Sequence, residues 1–195
     1  MKLIFVRHGE TEHNHKGLYC GWNDLELTEK GRVQAEEVCE KLKEKDLDLI
    51  ITSDLNRTIQ TAESVNKCHN IKITLEKNLR EMNFGLWEGL SYKEIKEKYK
   101  KELNEWEKDW VGYALPSGES VMNMYERVTF TIDQITHQYK NKNILIVSHA
   151  GCIRSILAHL IGNGIEDYWK YKIENCGIIT IEMVDDFPVL IGLNQ

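Results

Sequence analysis

Short apolar runs alternate with longer helical patterns along this chain. The runs cover residues 3–6, 47–52, 71–75, 144–147, 178–183 and 189–193. Runs of Ile, Val and Leu that are separated by segments long enough for crossover helices are typical of a parallel sheet with both faces covered. The pattern therefore predicts an α/β fold, a three-layer sandwich built on a mainly parallel sheet.

Four of the intervening segments carry apolar residues at helical spacing. We expect helices after the predicted N-cap Thr28, after Asp54, after Ser120 and after Gly151. Ser, Thr and Asp accept hydrogen bonds from the free N–H groups at a helix start. The positions expected to face inward are Ala35, Val38, Cys39 and Leu42, then Ile59, Ala62 and Val65, then Val121, Met124, Tyr125, Val128, Ile132 and Ile135, and finally Ile153, Ile156, Leu157 and Leu160.

Two regions depart from this alternation. The last two apolar runs are separated by a short stretch with Asp185 and Asp186, which predicts a hairpin and hence one antiparallel edge strand. Residues 81–119 are rich in Lys and Glu, contain Trp87, Trp106 and Trp110, and show no strand pattern. We interpret this stretch as a small helical cap inserted into a single domain that spans residues 1–195.

The length and the charge limit the classes of protein. A chain of 195 residues suits one domain with a substantial core, and its net charge of −6 argues against binding to nucleic acid or to an anionic membrane. No apolar run is long enough for a membrane helix, and charged residues come too early after Met1 for a secretory signal. We expect a cytoplasmic protein in which any anionic substrate meets a local positive pocket.

Neither the cysteines nor the clustered histidines indicate a metal site. The five cysteines are scattered, odd in number and lack a CxxC pair, so we expect reduced thiols and neither a disulfide framework nor a zinc ribbon. His13 and His15 are spaced for chelation, but no cysteine or ordered carboxylate partner accompanies them. A solvated loop is the favoured interpretation, and we predict no metal and no cofactor.

Chemically active side chains follow four of the predicted strands directly or within a few residues. Ligands of an open α/β sheet bind at the carboxyl ends of its strands. The residues delivered to that edge are Arg7 and His8 after the first strand, Arg57 after the second, Glu81 after the third and His149 after the fourth. Their convergence predicts one site at this edge.

This set of side chains suits phosphate chemistry. Two guanidinium groups match the oxygens of a phosphate dianion, and glycines such as Gly9 and Gly151 allow the backbone to approach it closely. A neutral imidazole is a competent nucleophile toward phosphorus and would form a covalent intermediate. Expulsion of an alkoxide requires a proton, for which Glu81 is the candidate donor.

Six motifs carry a resemblance to a known family. They are VRHGETEHN at 6–14, LTEKG at 27–31, SDLNRT at 53–58, REMNFGLWEG at 80–89, PSGES at 116–120 and VSHAG at 147–151. In this order, across nearly the whole chain, they resemble the histidine phosphatase superfamily, also called phosphoglycerate-mutase-like. The resemblance implies that the chain has the phosphoglycerate-mutase-like fold and that it is a metal-independent phosphatase.

The resemblance also implies roles for individual residues. His8 would be the phosphorylated nucleophile, Arg7, Arg57 and His149 would hold the phosphoryl group, and Glu81 would be the general acid and base. Further residues implied to bind the substrate are Asn14, Cys20, Gly21 and Ala150.

Within the superfamily, the sequence looks most similar to α-ribazole-phosphate phosphatases of cobalamin assembly. It differs from many such proteins at His13, where they often have an aromatic residue, and at Trp22, where they frequently have a histidine. The alternatives are a cofactor-dependent phosphoglycerate mutase, a broad-specificity phosphatase or a non-catalytic binding protein of the same fold. The expected partner is a small-molecule phosphate ester; the sequence is compatible with a monomer or a homodimer.

Overall fold

The computed structural model describes residues 1–195 and contains one six-stranded sheet in the order β3-β2-β4-β1-β5-β6. The strands are β1 (Lys2–Arg7), β2 (Leu49–Thr52), β3 (Ile73–Leu75), β4 (Asn143–Ser148), β5 (Ile178–Val184) and β6 (Phe187–Gly192). The first four are mutually parallel, whereas β5 runs antiparallel to both β1 and β6. The predicted mainly parallel sheet with an antiparallel hairpin at one edge is therefore confirmed.

Of the seven helices, the four longest lie where the apolar periodicity predicts them, two lie in the predicted cap, and the shortest, at Glu12–Lys16, is not predicted by the sequence pattern. They are α1 (Glu12–Lys16), α2 (Glu29–Leu42), α3 (Asn56–Asn66), α4 (Tyr92–Lys98), α5 (Lys100–Lys108), α6 (Val121–Gln138) and α7 (Ala150–Leu160). Thr28 caps α2 by accepting a hydrogen bond from the Gly31 amide at 3.0 Å, as predicted. Of the positions expected to face inward, Ile59, Tyr125 and Leu160 are only half-buried.

Side-chain alternation along the strands produces the three layers. On β1, Leu3 and Phe5 enter one hydrophobic cluster, and Ile4 and Val6 enter the other. The first cluster also contains the apolar faces of α6 and α7, whereas the second contains those of α2 and α3. Since successive side chains of a strand point to opposite faces, a strand covered on both sides has a continuous apolar sequence.

The predicted cap contains two short helices and no strand. Residues 81–119 include α4, α5 and a 3₁₀ turn at Gly85–Trp87. Their buried side chains Trp87, Ile95 and Leu103 belong to the same cluster as α6 and α7. The assignment of one domain over residues 1–195, with residues 81–119 as an inserted cap, stays a prediction.

The expectation that all cysteines are reduced is wrong for one pair. Cys39 on α2 and Cys68 just after α3 form a disulfide, with their Cα atoms 6.3 Å apart, while Cys20, Cys152 and Cys176 are free. The two partners are 29 residues apart and lack a recognisable motif, and only the packing of α2 against α3 brings them together. None of the helices combines the length and apolar character needed to cross a membrane.

Candidate active site

The sheet brings the predicted residues together at the carboxyl ends of its central strands. Arg7 is the last residue of β1 and pairs in register with Ser148, the last residue of β4. The next residues along each strand, His8 and His149, therefore lie side by side, with their ring centroids 5.2 Å apart. Arg57 joins them from the first turn of α3, which follows the adjacent strand β2.

The ring of His8 is held in one tautomer. Its Nδ1 lies 2.8 Å from the carbonyl oxygen of Gly9, and since a carbonyl can only accept, Nδ1 carries the proton. Burial, followed by the charges of Arg57 and Arg7, holds the pKa of His8 well below its usual value. The ring is thus neutral at neutral pH, and its Nε2 keeps a free lone pair.

The backbone around His8 is fixed by two other side chains. Thr61 on α3 accepts a hydrogen bond from the Gly9 amide at 3.1 Å, and Asn175 donates from Nδ2 to the carbonyl of His8 at 2.9 Å. Sequence reasoning missed Asn175, because this residue precedes β5 and reaches His8 only through the tertiary fold. Gly9 itself lies against the backbone of Gly31, where any Cβ would overlap a carbonyl oxygen.

Two arginines, the buried Arg57 and the half-buried Arg7, leave donors without protein partners. Arg57 donates to the carbonyls of Asn23 and Gly21, while Arg7 donates from Nη1 to the carbonyl of Ile173 at 2.8 Å. The Nε–H groups of Arg57 and Arg7 are buried and contact no acceptor in the protein. A buried donor without an acceptor is costly, so these groups are suited to an anionic ligand.

His149 is completely buried, and only one of its two ring nitrogens has a hydrogen-bond partner in the protein. Its Nε2 lies 2.8 Å from the hydroxyl oxygen of Ser53, whereas its Nδ1 has no partner in the protein. Burial, the charge of Arg57 and the proximity of His8 hold the pKa of His149 well below its usual value. Two neutral imidazoles therefore lie side by side, close enough to Arg57 and Arg7 for these charges to lower their pKa values.

The carboxylate of Glu81 is held by two backbone amides. Met82 N donates to Oε1 and Gly151 N donates to Oε2, both at 2.9 Å. A Cβ on Gly151 would overlap the carboxylate of Glu81 and crowd the hydroxyl of Tyr168, so glycine is required here. The indole of Trp22 and the guanidinium of Arg127 each donate a hydrogen bond of 2.9 Å to the backbone carbonyl of Glu81.

Other carboxylates of the sequence motifs already have partners in the protein. Glu88 accepts hydrogen bonds from the backbone amides of Gly21, Trp22 and Phe84. Glu10 pairs with Lys30 at 2.8 Å, and the exposed Glu12 pairs with Lys16 at 2.8 Å. Arg80, the immediate neighbour of Glu81, forms an ion pair with Asp54 at 2.6 Å. Glu81 is therefore the carboxylate available to a ligand beside His8.

Two adjoining cavities share the wall that contains Glu81. The first, which we call the His8 pocket, has a volume of about 240 Å³ and is lined by Arg7, His8, Asn14, Gly17, Leu18, Tyr19, Cys20, Glu81 and Phe84. Burial raises the pKa of the Cys20 thiol, so this side chain is protonated at neutral pH. Gly21 is not part of the lining and contributes its carbonyl to Arg57 instead.

The second cavity, which we call the apolar cavity, lies under the α4–α5 segment. Its volume is about 280 Å³, and its lining is Tyr19, Glu81, Met82, Phe84, Trp87, Trp106, Leu115, Val121, Ala150, Gly151, Arg154, Tyr168 and Trp169. Arg154 is its one cationic side chain, and it lies over the rings of Tyr168 and Trp169 at 5.8 and 5.1 Å. Trp110 packs against these same two rings from outside the lining.

No arrangement of three or more His, Cys, Asp or Glu side chains is placed to hold a metal ion. The interpretation of His13 and His15 as loop residues is wrong, because the capping residue Thr11 starts the short helix α1 there, beside the His8 pocket. The positive charge at the site comes from Arg7 and Arg57.

Comparison with known proteins gives a consistent match over the whole chain. The family model described as histidine phosphatase superfamily, branch 1, matches residues 3–195. Phosphoserine phosphatase 1 of Hydrogenobacter thermophilus is 30% identical over 194 residues, which cover 100% of this chain and 92% of that protein. Adenosylcobalamin/alpha-ribazole phosphatase of Escherichia coli K12 is 31% identical over 196 residues, with 100% and 96% covered. The crystal structure of the alpha-ribazole phosphatase from Shigella flexneri superposes with a TM-score of 0.93 at 32% identity, covering 100% of this chain and 96% of that one.

Proposed function

This chain belongs to the histidine phosphatase superfamily, branch 1, and from that premise we propose that it is a metal-independent phosphomonoester phosphatase that works through a phosphohistidine on His8. We further propose α-ribazole 5′-phosphate as its favoured substrate. One observation carries the reaction type: a buried, neutral His8 with a free Nε2 lone pair shares its pocket with Arg7 and the carboxyl group of Glu81.

The first half-reaction transfers the phosphoryl group to the enzyme. Nε2 of His8 attacks phosphorus, and the bond from phosphorus to the ester oxygen breaks as Glu81, in its acid form, protonates that oxygen. The imidazole gains positive charge in this step, which the hydrogen bond from Nδ1 to the Gly9 carbonyl stabilises. The free alcohol then leaves.

The second half-reaction restores the enzyme. Glu81, now ionised, accepts a proton from a water molecule as the oxygen of that water attacks the phosphohistidine. The bond from phosphorus to Nε2 breaks, and inorganic phosphate is released. Throughout, we expect the unpartnered Nε–H groups of Arg7 and Arg57 and the unpartnered Nδ1 of His149 to contact the phosphoryl oxygens. The positive charge of the two arginines then makes the contribution that a metal ion makes in other phosphatases.

The apolar cavity supports the choice of leaving group. It adjoins the His8 pocket through Glu81, Tyr19 and Phe84, so an alcohol released beside Glu81 extends into it. Its aromatic walls suit a planar apolar base such as the benzimidazole of α-ribazole. Phosphoserine and phosphoglycerate would bring a carboxylate, for which Arg154 is the single cationic partner in this cavity.

The reaction type is tested by trapping the intermediate. Wild-type protein and a Glu81→Gln variant are mixed with a ³²P-labelled phosphomonoester and quenched in alkali. We expect acid-labile label on His8 in the wild type, in the variant or in both, and none in His8→Ala. Label that persists in His8→Ala, or its absence from both wild type and Glu81→Gln, would overturn the proposal.

The substrate is tested by comparing kcat/KM across α-ribazole 5′-phosphate, O-phosphoserine, 3-phosphoglycerate and sugar phosphates. A clear preference for the first supports the proposal. Similar values for all would indicate a broad-specificity phosphatase, and interconversion of phosphoglycerates stimulated by bisphosphoglycerate would indicate a mutase. Failure to hydrolyse any ester would point to a binding protein.

We also propose that the protein works in the cytoplasm, because a dianionic phosphate ester does not cross a bilayer unaided. Thiols are kept reduced in that compartment, so we expect the disulfide between Cys39 and Cys68 to be open there and closed in air-oxidised protein.

A further inference from the structure

Behind the His8 pocket, three buried side chains form a row of hydrogen bonds. The hydroxyl oxygens of Thr58 and Ser53 are 2.9 Å apart, and that of Ser53 is 2.8 Å from Nε2 of His149. All three residues are completely buried, so water does not compete for these contacts. The direction in which the protons point along this row decides which nitrogen of His149 carries hydrogen.

The surrounding carbonyls leave the proton of Thr58 free to point toward Ser53. The hydroxyl of Thr58 is also close to the carbonyls of Leu55 and Ser53. However, the Leu55 carbonyl already accepts from two backbone amides, those of Thr58 and Ile59, and the Ser53 carbonyl accepts from the hydroxyl of Thr52. Thr58 can therefore donate to Ser53, and Ser53 can in turn donate to His149, without leaving an acceptor unpaired.

The opposite direction is unsuitable for an anion site. If Nε2 of a neutral His149 donated to Ser53, its Nδ1 would carry a lone pair, and this nitrogen has no other partner in the protein. A lone pair facing phosphoryl oxygens is repulsive, whereas an Nδ1–H group in the same place donates a charge-assisted hydrogen bond.

We propose that Ser53 is a positioning residue that donates its hydroxyl proton to Nε2 of His149, with Thr58 donating to Ser53, and so fixes His149 as the Nδ1–H tautomer that donates to the phosphoryl group. The inference rests on the proposed phosphoryl-transfer function but not on the identity of the leaving group. His8 and His149 are then both protonated on Nδ1, but they use different nitrogen atoms toward the phosphoryl group. His8 offers the lone pair of its Nε2, and His149 offers the proton of its Nδ1.

The test uses the full chain with ¹⁵N-labelled histidine and inorganic phosphate as the probe. Two-bond ¹H–¹⁵N spectra distinguish a protonated from an unprotonated ring nitrogen, and the His149 signals are assigned by their loss in His149→Gln. We expect Nδ1 to be the protonated nitrogen of His149 in wild type, with and without phosphate. In Ser53→Ala we expect the Nε2–H form to become populated, kcat/KM to fall about 10²-fold, and inhibition by phosphate to weaken.

Two further variants separate positioning from a general packing effect. Ser53→Thr keeps the hydroxyl and should restore the tautomer and most of the activity. Ser64→Ala removes another buried serine hydroxyl, one that has no hydrogen-bond partner, and should change neither the spectrum nor kcat/KM. If Ser53→Ala does not fold, Thr58→Val should shift the tautomer in the same direction, because it removes the donor to Ser53.

The proposal is overturned if His149 of the wild type carries its proton on Nε2, or if Ser53→Ala leaves the spectrum unchanged. Because the spectrum is recorded without turnover, a protein that hydrolyses no ester would contradict the proposed function alone. An active phosphatase with the wrong tautomer would contradict the positioning role alone.

Discussion

At the scale of single residues, burial and charge decide the protonation of the site. His8 and His149 are buried near the charges of Arg57 and Arg7, and both effects disfavour the imidazolium form. In the proposed mechanism the arginines have two functions, since they attract the phosphate and they keep the nucleophile His8 unprotonated. Both functions can be separated experimentally at Arg57.

Replacing Arg57 by Met should lower kcat/KM about 10²- to 10³-fold, because a donor to the phosphoryl oxygens is lost. It should also raise the pKa of His8, since Arg57 is the largest charge that lowers it. Protonation of the nucleophile would then inactivate the enzyme at a higher pH. In a plot of kcat/KM against pH, the acidic limb should therefore shift to higher pH. An unchanged acidic limb would contradict this assignment.

The two buried imidazoles should also make stability depend on pH. Their pKa values are lowered in the folded state, so below about pH 6.5 the unfolded chain binds more protons than the native one. The free energy of unfolding should therefore fall as the pH drops from 7 to 5, by up to about 1.4 kcal/mol per pH unit for each histidine.

Urea unfolding at several pH values measures this slope. His8→Asn should reduce it by the contribution of one proton, and a matched replacement of the exposed His137 by Gln should leave it unchanged. Equal slopes for wild type and His8→Asn would show that His8 binds its proton equally well in the folded and in the unfolded chain.

At the scale of elements, each side of the site comes from a different kind of segment. The residues that we propose to bind phosphate lie at or directly after the ends of the strands β1 and β4 and in the first turn of α3, where sheet pairing and helix geometry fix the backbone. The short helix α5 supplies Trp106 to the apolar cavity. We therefore expect changes in the helices α4 and α5 to alter selectivity more than chemistry.

Trp106→Ala should lower kcat/KM for α-ribazole 5′-phosphate by about tenfold or more, because an aromatic wall worth roughly 1.5 kcal/mol of contact is lost. The effect on a small ester such as O-phosphoserine should be slight. Tyr92→Ala is the matched control, since Tyr92 is an exposed aromatic residue of the neighbouring helix α4. Equal losses for both esters would place Trp106 in packing rather than in recognition.

At the scale of the whole molecule, the disulfide between Cys39 and Cys68 ties together the two helices on one face of the sheet. It closes a loop across a separation of 29 residues, and chain-entropy arguments give about 3.6 kcal/mol of stabilisation for such a loop. One of these helices, α3, carries Arg57, Thr58 and Thr61, so the covalent link lies close to the active site in the chain.

Reduction should therefore shift the urea unfolding midpoint of the oxidised protein downward. Cys39→Ser/Cys68→Ser should unfold like the reduced wild type and should not respond to dithiothreitol. A midpoint that is the same with and without dithiothreitol in the wild type would show that the pair does not form the bond in solution.

Much of the fold could be read from local patterns. The apolar run of β1 and the spacing of Ala35, Val38 and Leu42 on α2 predict a strand and a helix, because burial on defined faces imposes these periods. The rule that ligands gather at the carboxyl ends of parallel strands then predicts that His8 and His149 converge. The disulfide left no such pattern, since it depends on how two helices pack.

The sequence by itself therefore determined the sheet, its covering helices and the chemical types that meet at its edge, because each depends on residues close together in the chain or on a general rule of strand topology. Only the tertiary structure decided how those groups are held. The contact of Asn175 with His8, the two amides on Glu81 and the row from Thr58 through Ser53 to His149 join residues whose separation in the sequence carries no information about their distance in space. Hydrogen bonds of this kind depend on angles and distances of a few tenths of an ångström, which packing of the whole chain sets.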